Sequence, residues 1–275
     1  MNCKKANNPA KNKCLIFGLK SRMMDLYYRK MGEGQPLIIL HGLFGSSDNW
    51  LSIGKHLSEH YEVHLVDQRN HGQSPHSDTF NYPDMAVDLK HFIERHEINS
   101  PMIIGHSMGG KVAMEYAVRN PNDWQKLIVV DIAPKAYPVH HDQILEGLNA
   151  LDLSALKSRG DADAALAEYV PEKMVRQFLL KNLGRSPEGF EWKINLRAIT
   201  DNIEIIGAQT SARLEENKPV LFVDGEHSGY IKDADHSLIH NFFPDAKIST
   251  IAGAGHWVHA EKPDEFLEVI LAFLK

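Results

Sequence analysis

The stretch Pro101-Met102-Ile103-Ile104-Gly105-His106-Ser107-Met108-Gly109-Gly110 constrains this chain more than any other. A short apolar strand runs into a Gly-x-Ser-x-Gly turn, and a helix is predicted from about Lys111 to Arg119. Gly105 and Gly109 stand where a side chain would block a sharp strand-to-helix reversal. Such a turn lifts a serine hydroxyl above the end of a sheet. It also aims the first N–H of the following helix, that of Met108, at the place where an oxyanion would form. Alone, the pentapeptide also fits a Gly-rich surface turn; its place between strand and helix is what selects a nucleophile.

The surrounding chain alternates strands and helices, the pattern of a mostly parallel sheet covered on both faces. An alternating stretch at Asp25-Leu26-Tyr27-Tyr28 suits an edge strand, and Leu37-Ile38-Ile39-Leu40 is a continuous apolar run, as a doubly buried strand should be. Ser47 or Asp48 is expected to cap a helix over Trp50, Ile53 and Leu57. Further strands are expected at Val63–Val66, Leu127–Val130, Val220–Val223 and Lys247–Ile251, with a closing helix that starts at Pro263.

Between Pro134 and Lys218 the strand signal stops, and helically spaced apolar residues take over, separated by Gly160, Pro171, Gly184 and Pro187. The expected division is therefore a core of 25–134 and 219–275 with a helical cap at 135–218. A separate helical domain is the alternative, but the insertion returns directly to a sheet strand, which favours a lid over the strand ends. Residues 1–24 form a basic extension with no acidic residue, expected to be loosely attached. Its apolar run Leu15-Ile16-Phe17 is too short for a secretory signal.

Composition excludes several classes. A net charge of −6 over 275 residues gives no nucleic-acid footprint. No apolar run approaches the ~20 residues of a membrane span. The only two cysteines, Cys3 and Cys14, rule out a disulfide framework and point to a reducing, cytoplasmic location.

A serine nucleophile needs a base, and the base needs a third group to orient it. Chain order after this kind of turn places the histidine late, in a loop after the final strand, where His256 follows Gly253-Ala254-Gly255. His259 is the near competitor and reads as structural or solvent-exposed; His106 reads as a wall histidine pointing away from the serine. The acid is less direct. The strand before the last ends in Asp224-Gly225-Glu226-His227-Ser228, which puts Ser228 where the carboxylate usually stands. Asp131, after the strand that follows the nucleophile helix, can reach the same imidazole from the side. A buried carboxylate there needs such a partner. Asp131 is preferred on this ground, with Asp224 and Glu226 left open.

From about Asp25 to Lys275 the chain resembles an α/β-hydrolase, more narrowly the YbfF-type bacterial esterases and their mitochondrial abhydrolase relatives. The resemblance is carried by His41-Gly42-Leu43-Phe44-Gly45-Ser46, Arg69-Asn70-His71-Gly72, Gly105-His106-Ser107-Met108-Gly109-Gly110-Lys111, Asp131-Ile132-Ala133-Pro134 and Gly253 through Pro263. It supports Ser107, His256 and the shifted acid Asp131. It implies hydrolysis of short- to medium-chain acyl esters, extending to acyl-coenzyme A thioesters. In that mechanism the backbone N–H groups of Leu43 (Phe44 as the alternative) and Met108 form the oxyanion hole. The chemistry requires neither metal nor organic cofactor, and the expected partner is a small-molecule acyl ester or thioester, with monomer and homodimer both open. His56 and His60, four apart, read as a helix surface rather than a metal site. The residues leave open carbon–carbon bond hydrolysis or perhydrolysis on the same fold, and a ligand-binding protein with slow turnover.

Overall fold

The computed structural model describes residues 23–138, 141–187, 189–210, 213–214 and 217–275. Most of the basic extension, residues 1–22, lies outside the described residues. Met24 is already attached to the core: its N–H donates to Asp88 Oδ1 at 2.9 Å.

Seven strands form the main sheet: β1 (Tyr28–Met31), β2 (Gln35–Leu40), β3 (Tyr61–Val66), β4 (Met102–His106), β5 (Leu127–Val130), β8 (Val220–Gly225) and β9 (Lys247–Ile251). Their spatial order is β1-β3-β2-β4-β5-β8-β9. Only β1, at the edge, runs antiparallel; the other pairs are parallel. The expected edge strand thus starts three residues later than the alternation at Asp25 suggested. β2 illustrates why the central strands read as unbroken apolar runs. Leu37 and Ile39 pack on one face of the sheet, while Ile38 and Leu40 pack on the other.

Helices α1 (Leu51–Leu57) and α10 (Pro263–Leu274) cover the first face through Ile53, Leu57, Phe266 and Ile270. Helices α2 (Tyr82–Arg95) and α3 (Met108–Arg119) cover the second through Met85, Leu89, Val112 and Tyr116. A 3-10 turn at Ser47–Trp50 leads into α1. The cap is Ser46, not Ser47 or Asp48: its N–H donates to Asn49 Oδ1, while Ser47 N–H is drawn to Asp67 and the Asp48 carboxylate to Arg29. The helix after Ser107 runs from Met108 rather than from about Lys111.

Between β5 and β8 the chain builds α4 (Asp142–Ala150), α5 (Arg159–Leu166), α6 (Lys173–Leu179) and α7 (Leu196–Ile206). Contrary to the expected all-helical segment, it also holds an antiparallel hairpin, β6 (Leu183–Ser186) and β7 (Gly189–Trp192). Four-residue strands are too short to register as alternation, and Gly184 and Pro187 read as breakers although Gly184 lies within β6 and Pro187 directly follows it. Leu148, Leu166, Leu183 and Ile199 belong to the same continuous apolar cluster as Ile103 and Val112 in the sheet and α3. The remaining helices are α8 (His236–Phe242) before β9 and the short α9 (Val258–Glu261) before α10.

The inserted segment is rooted at the end of α7. A helix leaves its last carbonyls without intrahelical partners. Here Tyr82 Oη donates to Ile206 O (2.6 Å), the Tyr137 N–H to Gly207 O (2.8 Å), and Lys111 Nζ to Ala208 O (2.5 Å). A cation at a helix C-terminus is also favoured by the helix dipole.

Candidate active site

Ser107 stands between β4 and α3 at φ 52°, ψ −117°. A side chain in that region costs on the order of 1–3 kcal/mol and persists only where its surroundings enforce it. The enforcement comes from close backbone packing. A Cβ on Gly105 would collide with the Gly109 carbonyl, and one on Gly109 with the carbonyls of Leu40 and His41. The Ser107 N–H is also held by Val130 O at 2.9 Å.

His256 lies in the loop after β9, where both oxygens of Glu261 grip the chain around it. The Gly255 N–H donates to Oε2 at 2.7 Å and the Trp257 N–H to Oε1 at 3.1 Å. His256 Nδ1 donates to Asp131 Oδ2 at 2.6 Å, and the ring stacks on Tyr230 with centroids 4.1 Å apart. Asp131 is fully buried after β5 and takes a positive φ of 51°. Ser228 Oγ donates to the same carboxylate oxygen at 2.5 Å, and the Gly225 N–H approaches the other at 3.5 Å. The position that more often carries the acid therefore holds a hydroxyl that hydrogen-bonds the acid from the neighbouring strand. Asp224 is turned toward Thr250 Oγ1 (2.9 Å), and Glu226 accepts from the Gly253 N–H (2.7 Å). Among the described residues the carboxylate on His256 is that of Asp131.

Burial sets the protonation states. It lowers the His256 imidazole to about 4 and raises the Asp131 carboxyl to about 6. Above that range the pair is a neutral imidazole on a carboxylate, with the proton of Nδ1 facing Asp131.

Ser107, Met108, Leu43 and His256 all line one cavity of about 610 Å³, within the usual range for small-molecule sites. Most of its wall is apolar, including Ile132 from the core and Ile144, Val175, Phe178 and Ile203 from the inserted segment. Leu43 and Phe44 occupy a turn closed by Gly45 N–H to Gly42 O at 3.0 Å. Phe44 N–H is donated to His71 Nε2 at 3.2 Å. Neither the Leu43 nor the Met108 N–H donates to a protein acceptor among the described residues. Of the two candidate donors in the turn, Leu43 is the one left for a ligand.

The other histidines fall into place around this site. His106 is buried, and its Nε2 donates to the His256 carbonyl at 2.9 Å, so it supports the loop. His259 is buried rather than exposed and stacks flat on Trp50 at 4.0 Å. His56 and His60 are exposed. No group of three or more His, Cys, Asp and Glu side chains among the described residues could hold a metal ion. No helix among them is long and apolar enough to cross a membrane. Sequence reasoning missed the roles of Tyr230 and Glu261, and noticed the place of Ser228 without its bond to Asp131. The late Gly-rich loop marks where such partners gather, but not which residues they are.

Comparison with known proteins gives the family. A family model described as alpha/beta hydrolase fold matches residues 35–263. The chain is 38% identical to Esterase YbfF of Escherichia coli (strain K12), over 88% of this chain and 94% of that protein. It is 39% identical to the sn-1-specific diacylglycerol lipase ABHD11 of Danio rerio, over 89% of this chain and 80% of the relative. Among solved structures, a marine microorganism esterase superposes with a TM-score of 0.88 at 45% identity, covering 91% of this chain and 99% of the esterase. The chain belongs to the α/β-hydrolase family and is of the YbfF type.

Proposed function

We propose that this chain is a serine esterase acting on short- to medium-chain acyl esters, with acyl-coenzyme A thioesters as a related substrate class. One observation carries the reading: a buried Asp131–His256 hydrogen bond of 2.6 Å opens on the cavity that also holds the strained Ser107. The esterase and lipase named among its relatives support the ester as the bond attacked.

Ser107 Oγ attacks the acyl carbonyl while His256 Nε2 takes its proton. Asp131 holds Nδ1–H and stabilises the imidazolium that forms. The tetrahedral oxyanion accepts from the N–H groups of Leu43 and Met108; one such donor is typically worth about 3 kcal/mol of transition-state stabilisation. Collapse expels the alcohol or thiol, which leaves with the proton from His256. Water, deprotonated by the same imidazole, then cleaves the acyl-enzyme and returns the proton to Ser107. Residues 135–218 act as a lid that supplies the apolar wall and limits water near the ester.

The test is steady-state hydrolysis of a chromogenic acetyl-to-decanoyl ester series beside Ser107→Ala. A rate that peaks at one chain length and vanishes in the variant is expected. Equal turnover by Ser107→Ala would remove the assignment, and no turnover on any ester would move carbon–carbon hydrolysis or slow-turnover binding ahead.

A further inference from the structure

The turn that carries the Leu43 N–H is held from two sides, and one of them belongs to the inserted segment. Phe44 sits at φ 60°, a left-handed conformation that a bulky side chain avoids. Both of its backbone polar groups are engaged. Its N–H donates to His71 Nε2 at 3.2 Å, and its carbonyl accepts from Asn182 Nδ2 at 2.7 Å. His71 Nδ1 donates to Arg69 O at 2.9 Å, which leaves Nε2 free of a proton and able to accept. Asn182 lies 138 residues further along the chain, between α6 and β6; it is buried, and Nδ2 also donates to Leu179 O at 3.1 Å. The same segment steadies the His71 loop. Asn195 N–H donates to Asn70 O at 2.9 Å, and Asn195 Nδ2 to Asn70 Oδ1 at 3.2 Å.

We propose that Asn182 is a positioning residue for the oxyanion hole: by holding the Phe44 carbonyl opposite His71, it keeps the Leu43 N–H aimed at the developing oxyanion. The inference rests on the assignment of Ser107 and Leu43 above. It makes the seating of the inserted segment and the completion of the oxyanion hole one event. Without Asn182 the buried Phe44 carbonyl has no partner, and the strained turn is free to relax toward negative φ. That relaxation turns the Leu43–Phe44 peptide and, through Leu43, shifts the preceding peptide that bears the Leu43 N–H.

The experiment is kinetic. Asn182→Ala should lower kcat by roughly 10- to 100-fold, the scale of a misplaced catalytic group, while KM changes less than about threefold. Inhibition by an alkyl boronic acid, which forms a tetrahedral adduct on the serine, should weaken by the same factor as kcat. Binding of an alkyl alcohol of matching length, which fills the cavity without an oxyanion, should not change. If the alanine variant fails to fold by circular dichroism, Asn182→Leu keeps about the volume without any donor and carries the same expectation. Unchanged kcat, or a parallel weakening of kcat, KM and alcohol binding, overturns the proposal. Ser107→Ala is run alongside. Full activity there would bring down the esterase reading itself, whereas an inactive Ser107→Ala with a fully active Asn182→Ala overturns only the positioning role.

Discussion

Asp131 meets three donors while fully buried, so its carboxylate is held in one orientation and the His256 imidazole with it. Asp131→Asn keeps the shape but loses the acceptor that fixes the Nδ1–H tautomer. Turnover should fall by something approaching 10⁴-fold, the effect of such a change in a triad. Glu226→Gln and Asp224→Asn should leave it within about twofold, and a large loss in either would move the acid. The pH profile follows from the same burial. His256 must be neutral to accept the Ser107 proton and Asp131 must be ionised. Protonation of the pair between about 6 and about 4 therefore removes activity as the pH falls. The acid limb of kcat/KM should lie below the 6.5 of a free imidazole; a limb centred at 7 or above would contradict the assigned environments. That Ser107 and His256 line one cavity was legible because the Gly-x-Ser-x-Gly turn and the late Gly-rich loop are local patterns. Ser228 and Asn182 were not, since their meaning comes from partners 97 and 138 residues away.

At the scale of elements, the junction of α3 with the end of α7 is a buried ammonium on unpaired helix carbonyls. Lys111 Nζ lies over the rings of Tyr137 (4.9 Å) and Tyr82 (5.5 Å), and burial lowers its pKa from 10.5 to about 7. Between about 7 and 10.5 the unfolded chain binds a proton at this position that the folded chain has released, so stability contributed here rises with pH. Tyr82 and Tyr137, both shifted upward by burial, oppose this only as the pH nears their ordinary 10. From pH 7 to 9 the melting temperature of Lys111→Met, relative to the unaltered chain, should therefore decline by a few degrees. A pH-independent difference would mean that Lys111 is not titrating in its buried site. The element boundaries that sequence misplaced have local causes. Ser46 takes the cap because Asp67 and Arg29 claim its neighbours, and the β6–β7 hairpin escaped notice because its glycines punctuate four-residue strands.

For the whole molecule, the central strands β2, β4, β5 and β8 were legible as apolar runs because both faces of the sheet are covered there. Their spatial order was not, because it depends on crossovers that leave no mark on local periodicity. The order matters for chemistry. β4 lies next to β5, and β8 and β9 follow, so Ser107, Asp131, Ser228 and His256 emerge from successive neighbouring strand ends. This adjacency lets Asp131, the proposed acid, reach His256 from the end of β5 while Ser228, after β8, contributes a hydroxyl. The activation of Ser107 as a nucleophile is read by treating the protein with a fluorophosphonate and locating the adduct by tandem mass spectrometry. The expected result is one phosphonyl group per chain on Ser107, absent in Ser107→Ala and formed far more slowly in Asp131→Asn. An unmodified Ser107 in a protein that still hydrolyses esters, or an adduct on another residue, would contradict it.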